Sequence, residues 1–503
     1  MRGLRAWSWI GYALIIGCSA PIALVERLPL RELPQYAALS RMLVQLHDRR
    51  YGFAEYYELD LWRGASVLPL WLWGQLSAAV GVVLATRLVV LCSVLVGQLG
   101  LCAVLRAQRK PAVLALLGVP FAYANLFYLG LVPALLSLGL AWWSIACLMR
   151  ARERRAARLW LLALSCLLPL AHPLGVGVVL VFAAFAILAS GRMWRPMLRA
   201  SWPLAPLLPG ASYWARAALH ADGVAAFDQP GLAQRLMRAP QLLFGGFQGH
   251  GEAWRLAATL VLWIYLCRPY WTRRRRADVA GPRQPSRPVE PLTAACWGLA
   301  AASLLGYLLL PGSTWNTSAI FPRAGAVLMA WLPVLVPAAG LRLTRRRGPL
   351  LLIALALWTA WSNAAQLARF STEAAPLDAV LARVPPRPKL LYLAYDNQGQ
   401  IARSSPYLHS AAYAQAERGG FLALSRVDYA WTAPLRRRKD ARVPAAVYGS
   451  EWEPALLQSQ PALLEFYDAV LVSGKEPREM TILMNTPFRL AAHSGMFLLY
   501  LRP

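Results

Sequence analysis

Long apolar runs separated by short arginine clusters fill residues 7–368, and this alternation restricts the chain to folds that a lipid bilayer can solvate. Hydrophobic side chains make up 58% of the 503 residues and charged ones only 15%, with a mean hydropathy of +0.41. That is too apolar for a soluble multidomain protein and fits a multi-pass membrane protein. A net charge of +28 would suit nucleic acid, but the basic residues sit between apolar runs as cytoplasmic loops do, which argues against nucleic-acid binding. All seven cysteines lie in apolar runs, which disfavours disulfides and thiolate metal sites.

Basic clusters occur at Arg2/Arg5, Arg106–Lys110, Arg150–Arg158, Arg192–Arg199, Arg268–Arg287 and Arg342–Arg347, and hold 24 of the 37 basic residues in 1–370. If all are cytoplasmic, each gap between them holds an even number of crossings. Residues 1–25 read as an uncleaved first span with its N-terminus inside. Two spans fit 111–149, with a turn near "NLFYLG", two short ones fit 159–190, with a turn at "AHPLG", and two more flank the loop 217–253. Residues 292–341 hold another pair around "PGSTWNTSAIFPR", and a last run from 349 exits to the outside. Over 64–105, parity requires "VLPLWLWGQLSAAVGVV" to be interfacial or re-entrant and 88–105 to be the crossing. The expectation is an α-helical membrane domain of about eleven spans over 1–372, with a long first outer loop at 26–63. A small extracytoplasmic α/β domain over 373–503 follows it.

This threading puts every histidine and most acidic residues on the outer face, so chemistry is expected there. In the first outer loop, Pro34 suits a first helical turn. Tyr36, Leu39, Leu43, Val44 and Leu46 then mark one face against Arg41, Gln45 and Asp48, the pattern of an amphipathic helix at the interface. Glu32 falls where the first span ends and this helix begins, a position where a carboxylate is partly desolvated and its pKa open to tuning.

The order of a span, "ELPQY", a surface helix, "LPLWLWGQLS" and "GVVLATR" resembles the GT-C superfamily of integral-membrane glycosyltransferases, which use polyprenyl-phosphate-linked sugars. "NLFYLGLVPALLSLGLA", "LAHPLG" and "NTSAIFPRAGAVLMAWLPVL" look like later segments of bacterial relatives, and "HSAAYAQAERGG" resembles a segment of their outer domains. The likeness covers most of 1–500, and its strength lies in the order of short motifs. It implies that Glu32 stands where the superfamily usually has a catalytic aspartate, as general base or part of a metal site, and that Tyr36 stands where relatives often have histidine.

Each candidate also has a structural reading. Glu32 could simply pair with Arg27 or Arg31. Arg323, at the outer mouth of a span, could hold a lipid phosphate by bidentate hydrogen bonds or snorkel to headgroups, and Arg87 admits the same two roles. His172, in a short turn, lines a cavity or caps a helix. His250 and Glu252, with His220, Asp222 and Asp228 in the same loop, could bind a divalent cation, although no spacing is diagnostic and the reaction does not require a metal. Asn316 and its polar neighbours could line the donor site. In the C-terminal region "LLYLAYD" and "FYDAVLVSG" read as buried strands, "SSPYLHSAAYAQAERGG" as a capped helix and "FRLAAHSGMFLLYLRP" as a terminal hairpin.

The expected function is transfer of a sugar from a polyprenyl-phosphate donor to an acceptor hydroxyl on the outer face of a bacterial inner membrane. A non-catalytic GT-C-like protein that binds lipid-linked glycans or envelope partners is the alternative, favoured by glutamate and tyrosine at positions 32 and 36. A transporter is disfavoured, because the sequence has no internal repeat and no acidic residue buried mid-span.

Overall fold

The computed structural model describes residues 2–503 apart from 62–65, 220–229, 245, 250, 280–290, 315–316, 338–345, 430–432, 445–448, 458–460, 475–482 and 484–485. Its longer helices, leaving single turns unnumbered, begin with α1 (Arg2–Ser19), α2 (Leu33–Gln45), α3 (Val67–Val80), α4 (Val82–Ala107) and α5 (Val132–Arg150). Next come α6 (Arg155–Ala171), α7 (Pro173–Ala189), α8 (Leu207–Leu219), α9 (Gly251–Val279), α10 (Pro291–Leu309), α11 (Ile320–Leu335) and α12 (Arg347–Leu381). Among the described residues five helices are long and apolar enough to cross a membrane, α1 extended to Leu24, α4, α5, α10 and α12, and α3, α7 and α11 are shorter apolar helices. Trp9, Leu24, Leu159, Leu188 and Trp361 stand more than two-thirds exposed, apolar surface that lipid would cover.

Where the sequence suggests two full spans over 111–149, only α5 is a long continuous helix. Ala112–Gly118 is a 3-10 segment, wholly buried, and Val119–Ala122 and Asn125–Tyr128 are single helical turns. Pro111, Gly118 and Pro120 interrupt the run. Such backbone is tolerable at membrane depth only inside protein, and α1, α4, α11 and α12 surround it. Trp331 of α11 anchors the helical core, stacked on Trp142 at 4.9 Å between ring centres and donating its indole N–H to the Cys296 carbonyl at 3.0 Å.

Helix α12 is about 52 Å long at roughly 1.5 Å per residue, well beyond a hydrocarbon core of roughly 30 Å. It runs unbroken past residue 372, where the sequence sets the end of the membrane domain, and its last turns carry the C-terminal domain. Glu373 accepts the amides of Gln400 and Ile401 at 3.0 and 3.1 Å and the Tyr407 hydroxyl at 3.0 Å. Asp378 pairs with Arg27.

With β1 (Tyr57–Leu59) in the first loop, the C-terminal domain supplies β2 (Lys389–Ala394), α13 (Ala411–Arg418), β3 (Phe421–Leu422), β4 (Leu435–Arg437), β5 (Ala469–Ser473), β6 (Arg489–Ser494) and β7 (Phe497–Leu501). Its five-stranded sheet has the order β3-β2-β5-β7-β6, parallel across the first three strands and antiparallel across the last three. The strands and terminal hairpin expected from sequence are present, and the expected helix is limited to Ala411–Arg418, with no side-chain cap at its start and Gly419 ending it. Short β1 pairs antiparallel with β4, tying the first loop to this domain, with Glu58 on Arg436 at 2.7 Å.

The pairing explains a departure from expectation at α2. Most of the helix is enclosed by protein: ten of its thirteen residues are buried, Gln35 and Arg41 among them, and only its C-terminal end, with Gln45, is part-exposed. Helix α3 covers one side, where Gly74 lets the backbones meet, since a Cβ there would stand 2.3 Å from the Ser40 carbonyl oxygen. Helix α13 packs on α2 as well. One hydrophobic core therefore runs from Leu33, Tyr36 and Leu39 into Leu391, Ala412 and Phe421.

Candidate active site

The residues just before α2 are held by the "NLFYLG" turn. The amides of Arg31 and Glu32 donate to the Tyr128 and Leu129 carbonyls, each at 3.1 Å. Gly130 makes this approach possible: its φ is +73°, and a Cβ would lie 2.9 Å from the Leu33 nitrogen and 3.0 Å from that of Glu32. Glu32 is the residue preceding α2, and its side chain makes no cap to the helix.

Its carboxylate instead enters a buried cluster assembled from segments far apart in the chain. Oε2 accepts from Arg426 Nη1 at 2.7 Å and Oε1 from Arg31 Nη2 at 3.3 Å, while His409 Nε2 stands 3.9 Å from Oε1. Arg426, on the helical turn after β3, also donates Nη2 to the Tyr36 hydroxyl at 2.8 Å and lies 4.1 Å over the Tyr36 ring. Gln35 orients this turn, accepting the Arg426 amide at 2.8 Å and donating to the Leu424 carbonyl at 3.1 Å. Burial raises the Tyr36 pKa against the pull of Arg426 and Arg323, so the phenol is neutral.

His409 is clamped by Glu451. One carboxylate oxygen takes the His409 amide and the other lies 2.8 Å from Nδ1, which fixes Nδ1 as the donor and turns Nε2 toward Glu32. The clamp also holds the residue at φ +67°, in the left-handed region that side chains avoid. Burial opposes the imidazolium, but Glu451 and Glu32 outweigh it and raise the His409 pKa.

Arg323 and His172 approach from the helical bundle. Arg323 lies in the first turn of α11, part-buried, and shares with Arg426 the electrostatic company of Glu32 and Tyr36. His172 precedes α7 and caps it, its Nδ1 accepting the Leu174 amide at 3.1 Å. Desolvation, then the positive charges of Arg323 and Arg426, push its pKa down to about 3, so this imidazole is neutral and its surroundings are electropositive.

The other candidates lie elsewhere. Arg87 donates to the Ala23 and Val25 carbonyls at 3.4 Å, supporting the backbone that leads to Glu32, and among the described residues no hydrogen bond or ion pair joins it to the cluster. Glu252 is buried in the first turn of α9 and accepts the amides of Gly246 and Phe247 at 2.7 and 3.1 Å. His250 and Asn316, like His220, Asp222 and Asp228, fall outside the described residues. Among the described residues no group of three or more metal-ligating side chains forms. The site thus brings together Glu32, Tyr36, Arg323 and His172. It adds Arg426, His409 and Glu451, which sequence reasoning did not single out, and only the segment beginning at His409 carried any signal.

No protein-family profile matches the sequence, and a sequence search of curated proteins gives no match. Among solved structures, the chain is similar to ArnT from Cupriavidus metallidurans, crystallised both bound to undecaprenyl phosphate and in the apo state. In each case the match covers 99% of this chain and 98% of that one, with a TM-score of 0.53 and 13% identity. Over its full length, then, this chain shares the fold of that crystallised protein.

Proposed function

We propose that this protein is a membrane glycosyltransferase that moves a sugar from a polyprenyl-phosphate donor to an acceptor hydroxyl, with Glu32 as general base. The observation that carries this reading is the buried Glu32 carboxylate among guanidinium groups, at the end of the first span of a fold shared with a protein crystallised with undecaprenyl phosphate. The positive field at Arg323 and Arg426 suits a lipid phosphate. Glu32 takes the proton from the acceptor hydroxyl as its oxygen bonds to the anomeric carbon. The bond from that carbon to the phosphate oxygen breaks, and its electron pair leaves on the polyprenyl phosphate, facing Arg323. A single displacement of this kind inverts the anomeric centre. No step requires a metal. The arginine distribution supports an inner-membrane topology of eleven crossings, with the N-terminus cytoplasmic and residues 373–503 covering the site from outside.

A second reading, a binder of lipid-linked glycans without transfer, is favoured by one observation: both Glu32 oxygens already face cationic donors, which weakens a base. Transfer from a polyprenyl-phosphate sugar in proteoliposomes separates the two. A transferase loses about 10²-fold or more in kcat on Glu32→Gln while still binding donor. Covalent product formed equally by wild type and Glu32→Gln rules out the general-base role, and no product from wild type supports the binder.

A further inference from the structure

The Glu32–Arg426 contact raises the question of where the donor phosphate goes. Arg426 presents two nitrogens of its fork to the site, Nη1 on Glu32 Oε2 and Nη2 on the Tyr36 hydroxyl, while its main chain is pinned by Gln35 and its face by the Tyr36 ring. That edge is the one with which arginine grips two phosphate oxygens. Arg31 Nη2 stands 3.3 Å from Glu32 Oε1 beside the Arg426 pair, and Arg323 adds positive charge within electrostatic reach of the same carboxylate. His172, kept neutral first by desolvation and then by the charges of Arg323 and Arg426, adds no competing charge on the side facing the helices.

We propose that Arg426 is a ligand of the donor phosphate and that, before donor arrives, Glu32 occupies the place on its guanidinium that the phosphate takes. This deepens the transferase reading and rests on it. The two anions compete for one edge of Arg426. An arriving phosphate, backed by Arg323, draws Arg426 away from Glu32 and leaves the carboxylate free to accept a proton. The base is thereby unmasked only when the leaving group is in place, and no acceptor is deprotonated without a donor. Tyr36 serves as the rail, its ring holding the guanidinium plane while the tip changes partner.

Competition makes a prediction that ordinary pocket lining does not: removing a negative side chain tightens binding. The test is titration of undecaprenyl phosphate into the full chain in nanodiscs, read by native mass spectrometry, with the melting temperature of each variant as a check of folding. Glu32→Gln and Glu32→Ala are both expected to bind about tenfold more tightly than wild type, the gain from losing one charge-assisted competitor. Arg426→Met is expected to bind about tenfold more weakly, and Arg426→Lys, which keeps the charge and loses the fork, falls between it and wild type. Unchanged or weaker binding in folded Glu32 variants, or unchanged binding in Arg426→Met, overturns the competition and leaves the transferase reading standing. Failure of wild type and every variant to bind the lipid phosphate overturns both.

Discussion

Glu32 draws its character from groups distant in sequence. Glu32 and Tyr36 were legible because a carboxylate, a proline and an aromatic ring fall within residues 32–36, soon after the first span. Arg426, His409 and Glu451 were not, because each is an ordinary polar residue until the fold brings Arg426 onto Glu32, 394 positions away, and Glu451 onto His409. His409 gives a pH test. Its pKa is raised above the ordinary value of 6.5 by Glu451 and Glu32, with Gln35 and Arg31 also beside it. The stability it contributes is therefore fully present below pH 6.5 and is lost as pH rises through the raised value. The melting temperature of wild type is expected to fall by a few degrees across that window, and the same scan of His409→Asn to lack that component. A fall of equal size in the variant assigns the effect elsewhere.

At the scale of elements, the period of α2 gave its existence and its start correctly and its surroundings wrongly. An apolar stripe with Arg41 and Gln45 opposite looks the same whether the polar face meets headgroups or another domain, and the partner here is α13, more than 360 residues on. Strand β1 escaped notice because three residues carry no readable alternation and their ladder is completed by β4. The sheet strands β2, β5 and β7 were legible as short apolar runs closed by turn residues. The α2–α3 contact depends on the missing side chain of Gly74. Gly74→Ala is expected to destabilise the protein by about 1–3 kcal/mol through overpacking against Ser40 and Val44. Thermal unfolding in detergent reads this directly, and an unchanged melting temperature would show that the two helices separate without cost.

Across the whole molecule, arginine clusters and apolar runs were enough to mark a multi-pass membrane protein and a distinct C-terminal sheet domain, because both follow from solvation. They did not reveal that the segment after Pro111 is a chain of short turns, since burial on every side leaves the same apolar composition as a lipid-facing helix. Nor did they reveal that the first loop and the C-terminal domain share one core, with Glu32 enclosed between them. That enclosure makes the site a junction of helical bundle and sheet domain, and in the proposed reaction the lipid phosphate approaches from the membrane and the acceptor from the other side. The most direct test of this account is native mass spectrometry of the protein purified in detergent, wild type beside Arg323→Ala. The account predicts a co-purified polyprenyl phosphate or its sugar adduct on wild type that is lost in the variant. Ordinary phospholipids alone on both would contradict it.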